Sequence, residues 1–517
     1  MPRCIDAASP QQPGWAPVRA AWRGRTGLGG LLWLACALPG LAANPAPTGL
    51  TPARPGAAAP PAAAPASRPV AAAPAQPVAS AARLPDGADK ADKADPAAAV
   101  EPRTAALSST GQRVYQQARR QLLQVRTLLK TQDSQSSVGS GFLVSNDGHL
   151  ITNYHVVSQY ALRPDRHRLV FVDADGAQGA LQLLAFDVAH DLALLKPAQA
   201  GALAGRGAVS FRPAEQAMPR GARMYALGNP LDVGFAVNEG SYNGPVERSF
   251  LTTLFFGGAL SPGMSGGPAL DEQGRLVGVN VATRMGGEQV SFLVPAGHAE
   301  ALLQRGRTAQ PITQAAWPEL TRQLTAHQAL LTERFLAQPW RSAGHPRYRI
   351  PVPQETFLRC WGDSSAGTTR GLRFERSDCE MDSRVFVSDA LLMGALSVRH
   401  EVYDGSRLGA LRFAERHAAS FGNESFGVRT AQLTGPRCHE RTVDRQGLPL
   451  RAVLCLSAYK KLPGLYNLGV LVATLDQSDA GAQGRFDAVG VSFDNAMRLA
   501  QHYLDGYQWT APPTASP

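Results

Sequence analysis

The chain has 517 residues, of which 44% are hydrophobic, 18% charged and 7% aromatic, enough apolar material for two or three cores, so wholesale disorder is excluded. Its 51 glycines and 39 prolines follow no three-residue period, which excludes a collagen-like fibre and predicts long irregular stretches. The formal charge of +10 drops to +7 once the first 43 residues are set aside, because they carry Arg3, Arg19, Arg23 and Arg25 against Asp6 alone; no Lys/Arg run interleaved with aromatics remains, so no nucleic-acid partner is expected.

In residues 1–43 a basic stretch precedes the apolar run Leu28 to Leu38, which is followed by Pro39-Gly40 and Leu41-Ala42-Ala43, the pattern of a secretory signal peptide. The run is short for a membrane span and contains Gly29 and Gly30, so cleavage is expected, with retention as an anchor or a lipoprotein at Cys36 as the alternatives. Trp33 sits where a lipoprotein signal wants an aliphatic residue. Export to the periplasm or cell envelope, or secretion, follows from this reading. Residues 44–104 hold 13 prolines, no aromatic residue, no Ile and only Leu50 and Leu84, so no core can form; a disordered, semi-rigid polyproline tether is predicted.

From residue 105 to 308 the pattern changes. A short helix around Ser109 to Arg120 leads into strand-like runs from Leu122, Gly139, His149, His167, Asp191, Arg223 and Arg275, separated by Gly and Asp/Asn turns, which suggests an antiparallel barrel or sandwich. Ser265 lies among Gly263, Gly266 and Gly267, where backbone N–H groups can turn toward one point; a serine hydroxyl needs such donors, and a base, to act as a nucleophile. A plain Gly/Ser/Pro turn is the other reading. His155 stands where a buried strand ends, a rigid seat for a general base, whereas a lone histidine is more often structural. Asp191 opens the apolar strand DLALLK and suits the orientation of an imidazole; Asp187 competes for the role from earlier in the loop, and a solvated turn aspartate is the plainer reading of either.

Together, Gly139-Ser140-Gly141-Phe142-Leu143-Val144, Thr152-Asn153-Tyr154-His155-Val156-Val157, Asp191-Leu192-Ala193-Leu194-Leu195-Lys196, Ala226-Leu227-Gly228-Asn229-Pro230 and Gly263-Met264-Ser265-Gly266-Gly267-Pro268 resemble, in order, the trypsin-like (chymotrypsin-fold) serine peptidases, closest to the bacterial HtrA/Deg branch. The resemblance covers about 190 of the 517 residues. It implies an all-β double β-barrel with the site in the cleft between the barrels, His155 as general base, Asp191 as its orienting carboxylate, Ser265 as nucleophile and the backbone N–H groups of Gly263 and Ser265 as the oxyanion hole. It further implies Ala259 as the floor of the primary specificity pocket, hence cleavage after small or medium aliphatic residues, with the substrate strand lying beside Val279, Val281 and Thr283. Neither a cofactor nor a metal is called for. Met264 replaces the usual Asn or Asp, so activation by a buried new N-terminus is not carried over. Nor is PDZ-dependent peptide sensing or cage assembly, since no Gly-Leu-Gly-Phe-like loop follows residue 305.

Residues 309–350 carry Leu320, Leu324, Leu331 and Phe335 at helical spacing and read as a helical connector. Residues 351–510 alternate strand-like runs and end in a helical stretch from Asp494 to Tyr507, an α+β C-terminal domain, with 511–517 as a disordered tail. Cys360 and Cys379 enclose 18 residues and Cys438 and Cys455 enclose 16, so two hairpin-stapling disulfides are the simplest pairing. The function expected is an exported serine endopeptidase acting on polypeptides. The alternative is a catalytically silent protease-fold scaffold whose C-terminal domain or tether contacts a cell-envelope component.

Overall fold

The computed structural model describes residues 107–281, 290–342, 345, 347–476 and 478–510. The signal, tether and tail expected from the sequence lie outside the described residues, as does Thr283. After helix α1 (Ser109–Ala118), whose N-cap Ser108 accepts from the Gly111 N–H, six strands close into a first barrel: β1 (Leu122–Leu129), β2 (Gln135–Leu143), β3 (Leu150–Thr152), β4 (His167–Asp173), β5 (Gln178–Asp187) and β6 (Leu192–Pro197). Helix α2 (Tyr154–Leu162) fills one end of it. A second barrel is built from β7 (Arg223–Gly228), β8 (Ala236–Pro245), β9 (Leu254–Gly257), β10 (Pro268–Leu270), β11 (Leu276–Val281) and β12 (Ser291–Pro295), followed by α3 (Ala296–Gly306). Closure removes the sheet edges, and alternation seats Leu123, Val125, Leu169 and Leu195 inside the first barrel and Met224, Ala226, Phe256 and Leu293 inside the second.

Helix α4 (Trp317–Leu336) is the expected connector, shorter than the 309–350 segment; Pro339 lies just beyond its end. The rest of that segment forms short strands, Arg341–Ser342 pairing with Pro351–Val352 and Tyr348–Arg349 with Gln508–Trp509. Leu320 and Leu324 pack into the first barrel's core, Leu331 and Phe335 into that of the C-terminal region, so one helix serves two cores.

The C-terminal region is a seven-stranded antiparallel sheet ordered Leu358–Ser364, Arg373–Met381, Ala395–Asp404, Ala480–Ser492, Leu465–Thr474, Leu448–Ala458, Arg437–Arg445, with helices α5 (Ala410–Gly422) and α6 (Phe493–Asp505). Both disulfides form as expected, Cys360–Cys379 and Cys438–Cys455, each between directly opposed residues and each tying an edge strand to its neighbour. Between Arg373–Met381 and Ala395–Asp404 the chain leaves the sheet as a small hairpin, Val385–Ser388 with Leu391–Met393. Its Val385, Val387, Leu391 and Met393 are buried in the same cluster as Tyr154, Val156, Val157 and Leu162 of the first barrel. At about 1.5 kcal/mol or more per buried aliphatic side chain, these four contribute roughly 6 kcal/mol before ordering entropy is subtracted, so the hairpin is firmly seated. Barrels, connector and sheet accordingly belong to one compact unit, Ala99–Pro517.

Candidate active site

His155 is the second residue of α2, and its position is dictated by what precedes the helix. Thr152 ends the buried strand β3, and its hydroxyl donates to the Ser140 carbonyl at 2.7 Å, fixing β3 to β2. The helix then starts at Tyr154 with its free N–H groups facing the loop that holds Asp191. That residue is anchored at both ends: its backbone carbonyl accepts from the Tyr154 N–H (3.1 Å) and the Asn153 Nδ2 (2.8 Å), while Oδ1 accepts from the His155 N–H (2.8 Å). A carboxylate at a helix N-terminus is favoured by the partial positive charge there. Asp191 adopts φ +53, a left-handed conformation that Asp tolerates and that aims the carboxylate back at the helix.

The remaining Asp191 oxygen, Oδ2, lies 2.6 Å from His155 Nδ1. A carboxylate only accepts, so Nδ1 carries the hydrogen and Nε2 is left as an acceptor, the tautomer a general base requires. Burial alone would lower the His155 pKa; the Asp191 charge and hydrogen bond, with a smaller contribution from Asp389, outweigh it and raise the pKa above the usual value. Asp187, the competing carboxylate, is turned elsewhere, accepting from His190 Nδ1 (3.1 Å) and Arg305 Nη2 (2.9 Å).

The loop bearing Ser265 comes from the second barrel and lies against the first. Gly266, at φ +84, approaches Thr152 and Asn153 so closely that a Cβ there would stand 2.4 Å from the Thr152 hydroxyl and 2.8 Å from the Asn153 nitrogen, which is why only glycine fits. Ser265 itself is pinned through its carbonyl, which accepts from the Ser140 N–H at 2.8 Å. Neighbouring peptides are held from outside: the Pro262 carbonyl accepts from the Leu231 N–H (2.8 Å) and the Gly263 carbonyl from the Ser140 hydroxyl (2.7 Å), which also accepts from the Asn229 N–H (2.8 Å). In a planar trans peptide C=O and N–H point in opposite directions, so anchoring the Pro262 oxygen turns the Gly263 N–H away from Leu231. Among the described residues the N–H groups of Gly263 and Ser265 have no hydrogen-bond partner. Unpartnered, adjacent donors beside a serine are what an oxyanion hole requires.

Ser140, Leu231 and Asn153 support the candidate site through hydrogen bonds that the sequence does not announce; Ser140 and Asn153 fall inside the Gly-Ser-Gly and Thr-Asn-Tyr-His blocks, but nothing in those blocks states which backbone group each would hold. Met264 is fully buried in the second barrel's core. Ala259 is exposed, and its carbonyl accepts from Asn238 Nδ2 at 2.7 Å. Val279 is fully buried, in the same apolar cluster as Leu122, Phe142 and Ile151 of the first barrel, so its side chain does not reach the surface. Val281, half-buried, pairs with Phe292 on one side. The described residues contain no group of three or more His, Cys, Asp or Glu side chains able to hold a metal ion.

Residues 139–279 match the trypsin-like peptidase domain family. That stretch of the chain is similar to trypsin-like peptidase domains. The chain is also similar to proteins named probable periplasmic serine endoprotease DegP-like, from Ectopseudomonas mendocina (30% identical, covering 31% of this chain and 33% of the relative) and from Bartonella henselae (31% identical, covering 32% and 33%). The chain thus spans about a third of the length of the curated relatives it matches. A serine endoprotease from Yersinia pestis aligns with 38% of this chain and 66% of its own at 22% identity and a TM-score of 0.33. The trypsin-like peptidase domain match ends within β11, before α3, the connector and the C-terminal sheet.

Proposed function

We propose that the protein is an exported serine endopeptidase. The observation that carries this reading is the His155–Asp191 pair, hydrogen-bonded at 2.6 Å, beside a Ser265 loop whose Gly263 and Ser265 N–H groups are unpartnered. In this reading the Ser265 hydroxyl attacks the scissile carbonyl while His155 Nε2 takes its proton, and Asp191 stabilises the imidazolium. The carbonyl oxygen, now an anion, is met by the two amide donors. The proton then passes to the leaving amine, and water, activated by the same imidazole, hydrolyses the acyl-enzyme. Small or medium aliphatic residues before the scissile bond are favoured by the Ala259 floor. The secretory pattern of residues 1–43 and the periplasmic names of two relatives support a periplasmic site of action.

Hydrolysis of casein or a peptide library by the mature chain, compared with Ser265→Ala, tests the proposal. A fluorophosphonate reagent adds a second measure, since covalent labelling at Ser265 needs an activated hydroxyl. Equal inertness of both proteins across several pH and salt conditions, with no labelling of the wild type, would overturn it.

A further inference from the structure

The hairpin that leaves the C-terminal sheet reaches the catalytic histidine. Alternation along Val385–Ser388 sends Val385 and Val387 into the first barrel's core and leaves Phe386 facing the other way. The Tyr154 hydroxyl donates to the Val387 carbonyl at 3.2 Å, tying the hairpin to the residue before His155. The half-buried Phe386 ring meets the His155 imidazole edge-on, with centroids 6.0 Å apart and planes at 77°. Beside this contact a cavity of about 170 Å³ is bounded by His190 and Asp191 from the first barrel, by Phe250, Leu251, Val281 and Phe292 from the second, and by Arg384 and Val385 from the C-terminal region. Apolar surface predominates on its walls, with Ser249, Thr252, Thr253 and Ser383 also among them; it touches Asp191, the partner of His155, and reaches Val281, where β11 pairs on one side with Phe292. Arg384 is exposed, and its guanidinium has no partner among the described residues.

Resting on the peptidase reading above, we infer that the C-terminal region supplies one wall of the substrate cleft. The peptide segment before the scissile bond runs between Val281 and the Arg384–Phe386 stretch, an apolar side chain of that segment enters the cavity, and Arg384 faces an acidic residue at its mouth. The occupant follows from the site: the cavity is lined by Asp191 of the proposed trio, Phe250, Leu251, Val281 and Phe292 give it apolar surface, and the one charge added by the hairpin at its rim is positive.

The test uses the full mature chain and a nested peptide series with one to four residues before the scissile bond. In the wild type kcat/KM is expected to rise about tenfold or more as an apolar residue reaches the cavity, the increment that one well-placed apolar group provides. In Phe386→Ala the rise from the shortest to the longest peptide should shrink to about threefold or less. A second series carries Glu or Lys at the residue facing Arg384. The wild type should favour Glu by about twofold to fivefold, the range of an exposed ion pair, and Arg384→Glu, an exposed and unpaired position that folding does not require, should reverse the preference. Hydrolysis without length dependence, an unchanged rise in Phe386→Ala, or an unchanged charge preference in Arg384→Glu would overturn the wall assignment and leave the peptidase reading standing. A wild type inert to every peptide would overturn both. Faster cleavage by Phe386→Ala at all lengths would mean that the hairpin plugs the cleft, which also contradicts the inference.

Discussion

Removing one hydroxyl, that of Ser140, should weaken catalysis from outside the proposed catalytic trio. Ser140 is fully buried, and its Oγ both donates to the Gly263 carbonyl and accepts from the Asn229 N–H, at 2.7 and 2.8 Å. In Ser140→Ala two buried backbone groups lose their partner, each at a cost of about 1–3 kcal/mol, so an overall destabilisation of roughly 2–4 kcal/mol is expected after relaxation. Ser140 holds the Gly263–Met264 peptide, and the preceding Pro262–Gly263 peptide keeps its own anchor at Leu231, so the Gly263 donor is loosened and not lost. Deleting an oxyanion donor outright costs about 10²–10³ in kcat, so a loosened one should cost about tenfold to a hundredfold, with KM little changed. Steady-state kinetics on a peptide substrate, at a temperature well below the variant's unfolding midpoint, measure the catalytic part, and urea denaturation measures the stability part. A kcat within twofold of wild type, or a loss confined to KM, would refute the idea that this hydroxyl holds the oxyanion loop.

The acid limb of kcat/KM should lie above the ordinary histidine value, because the general base must be neutral and the His155 pKa is raised; Asp389→Asn removes one of the charges that raise it and should move the limb to lower pH, as a pH–rate profile will register. Buried His327 and His400, both pushed down to about 4 chiefly by desolvation, stay neutral in the fold, so their contribution is intact above about 6.5 and is lost as pH falls toward 4, by about 3 kcal/mol each, and a urea midpoint that does not change between pH 7 and 4.5 would contradict this. Leu231 is 67% exposed at φ +51, so Leu231→Asn, which tolerates that conformation, should raise stability by about 0.5–1 kcal/mol in thermal melts. Replacing Cys438 and Cys455 together by Ala frees an edge strand and should lower the unfolding free energy by about 3 kcal/mol in chemical denaturation.

The parts of the proposed site that are legible in the sequence are those in which a side chain would do the chemistry. His155, Asp191 and Ser265 stand in recognisable blocks, and glycines around Ser265 announce a backbone that must turn sharply. The supports were not legible, because their partners are backbone groups far along the chain: Ser140 meets Gly263 across 123 residues, and Leu231 serves through an N–H that every residue except proline has. The same applies to substrate contacts. Val279 and Val281 point to the same face of one strand, and only the closed barrel decides that the first is fully buried while the second, near the strand's end, stays half-buried. In the C-terminal region the two hairpin disulfides followed from cysteine spacing, but helix α5, with Phe413, His417 and Phe421 four apart, gives a three-residue apolar stripe too sparse to read without the sheet it covers.

The least legible feature, the sharing of one core by two regions, changes how the molecule should be dissected. Had the C-terminal sheet hung from the connector alone, residues 105–308 would fold as a separate peptidase and the sheet could be removed without cost. Instead Val385, Val387, Leu391 and Met393 complete the cluster that also holds Tyr154, Val156 and Val157, the residues flanking His155. Cutting after residue 308 would expose that apolar surface beside the general base and remove Leu320 and Leu324 from the same cluster. Loss of activity in such a fragment therefore could not separate a missing substrate wall from a loosened histidine. A point change at Arg384 in the intact chain can, since that side chain is exposed and stands outside the shared buried set, whereas Phe386 packs against both that set and the His155 ring.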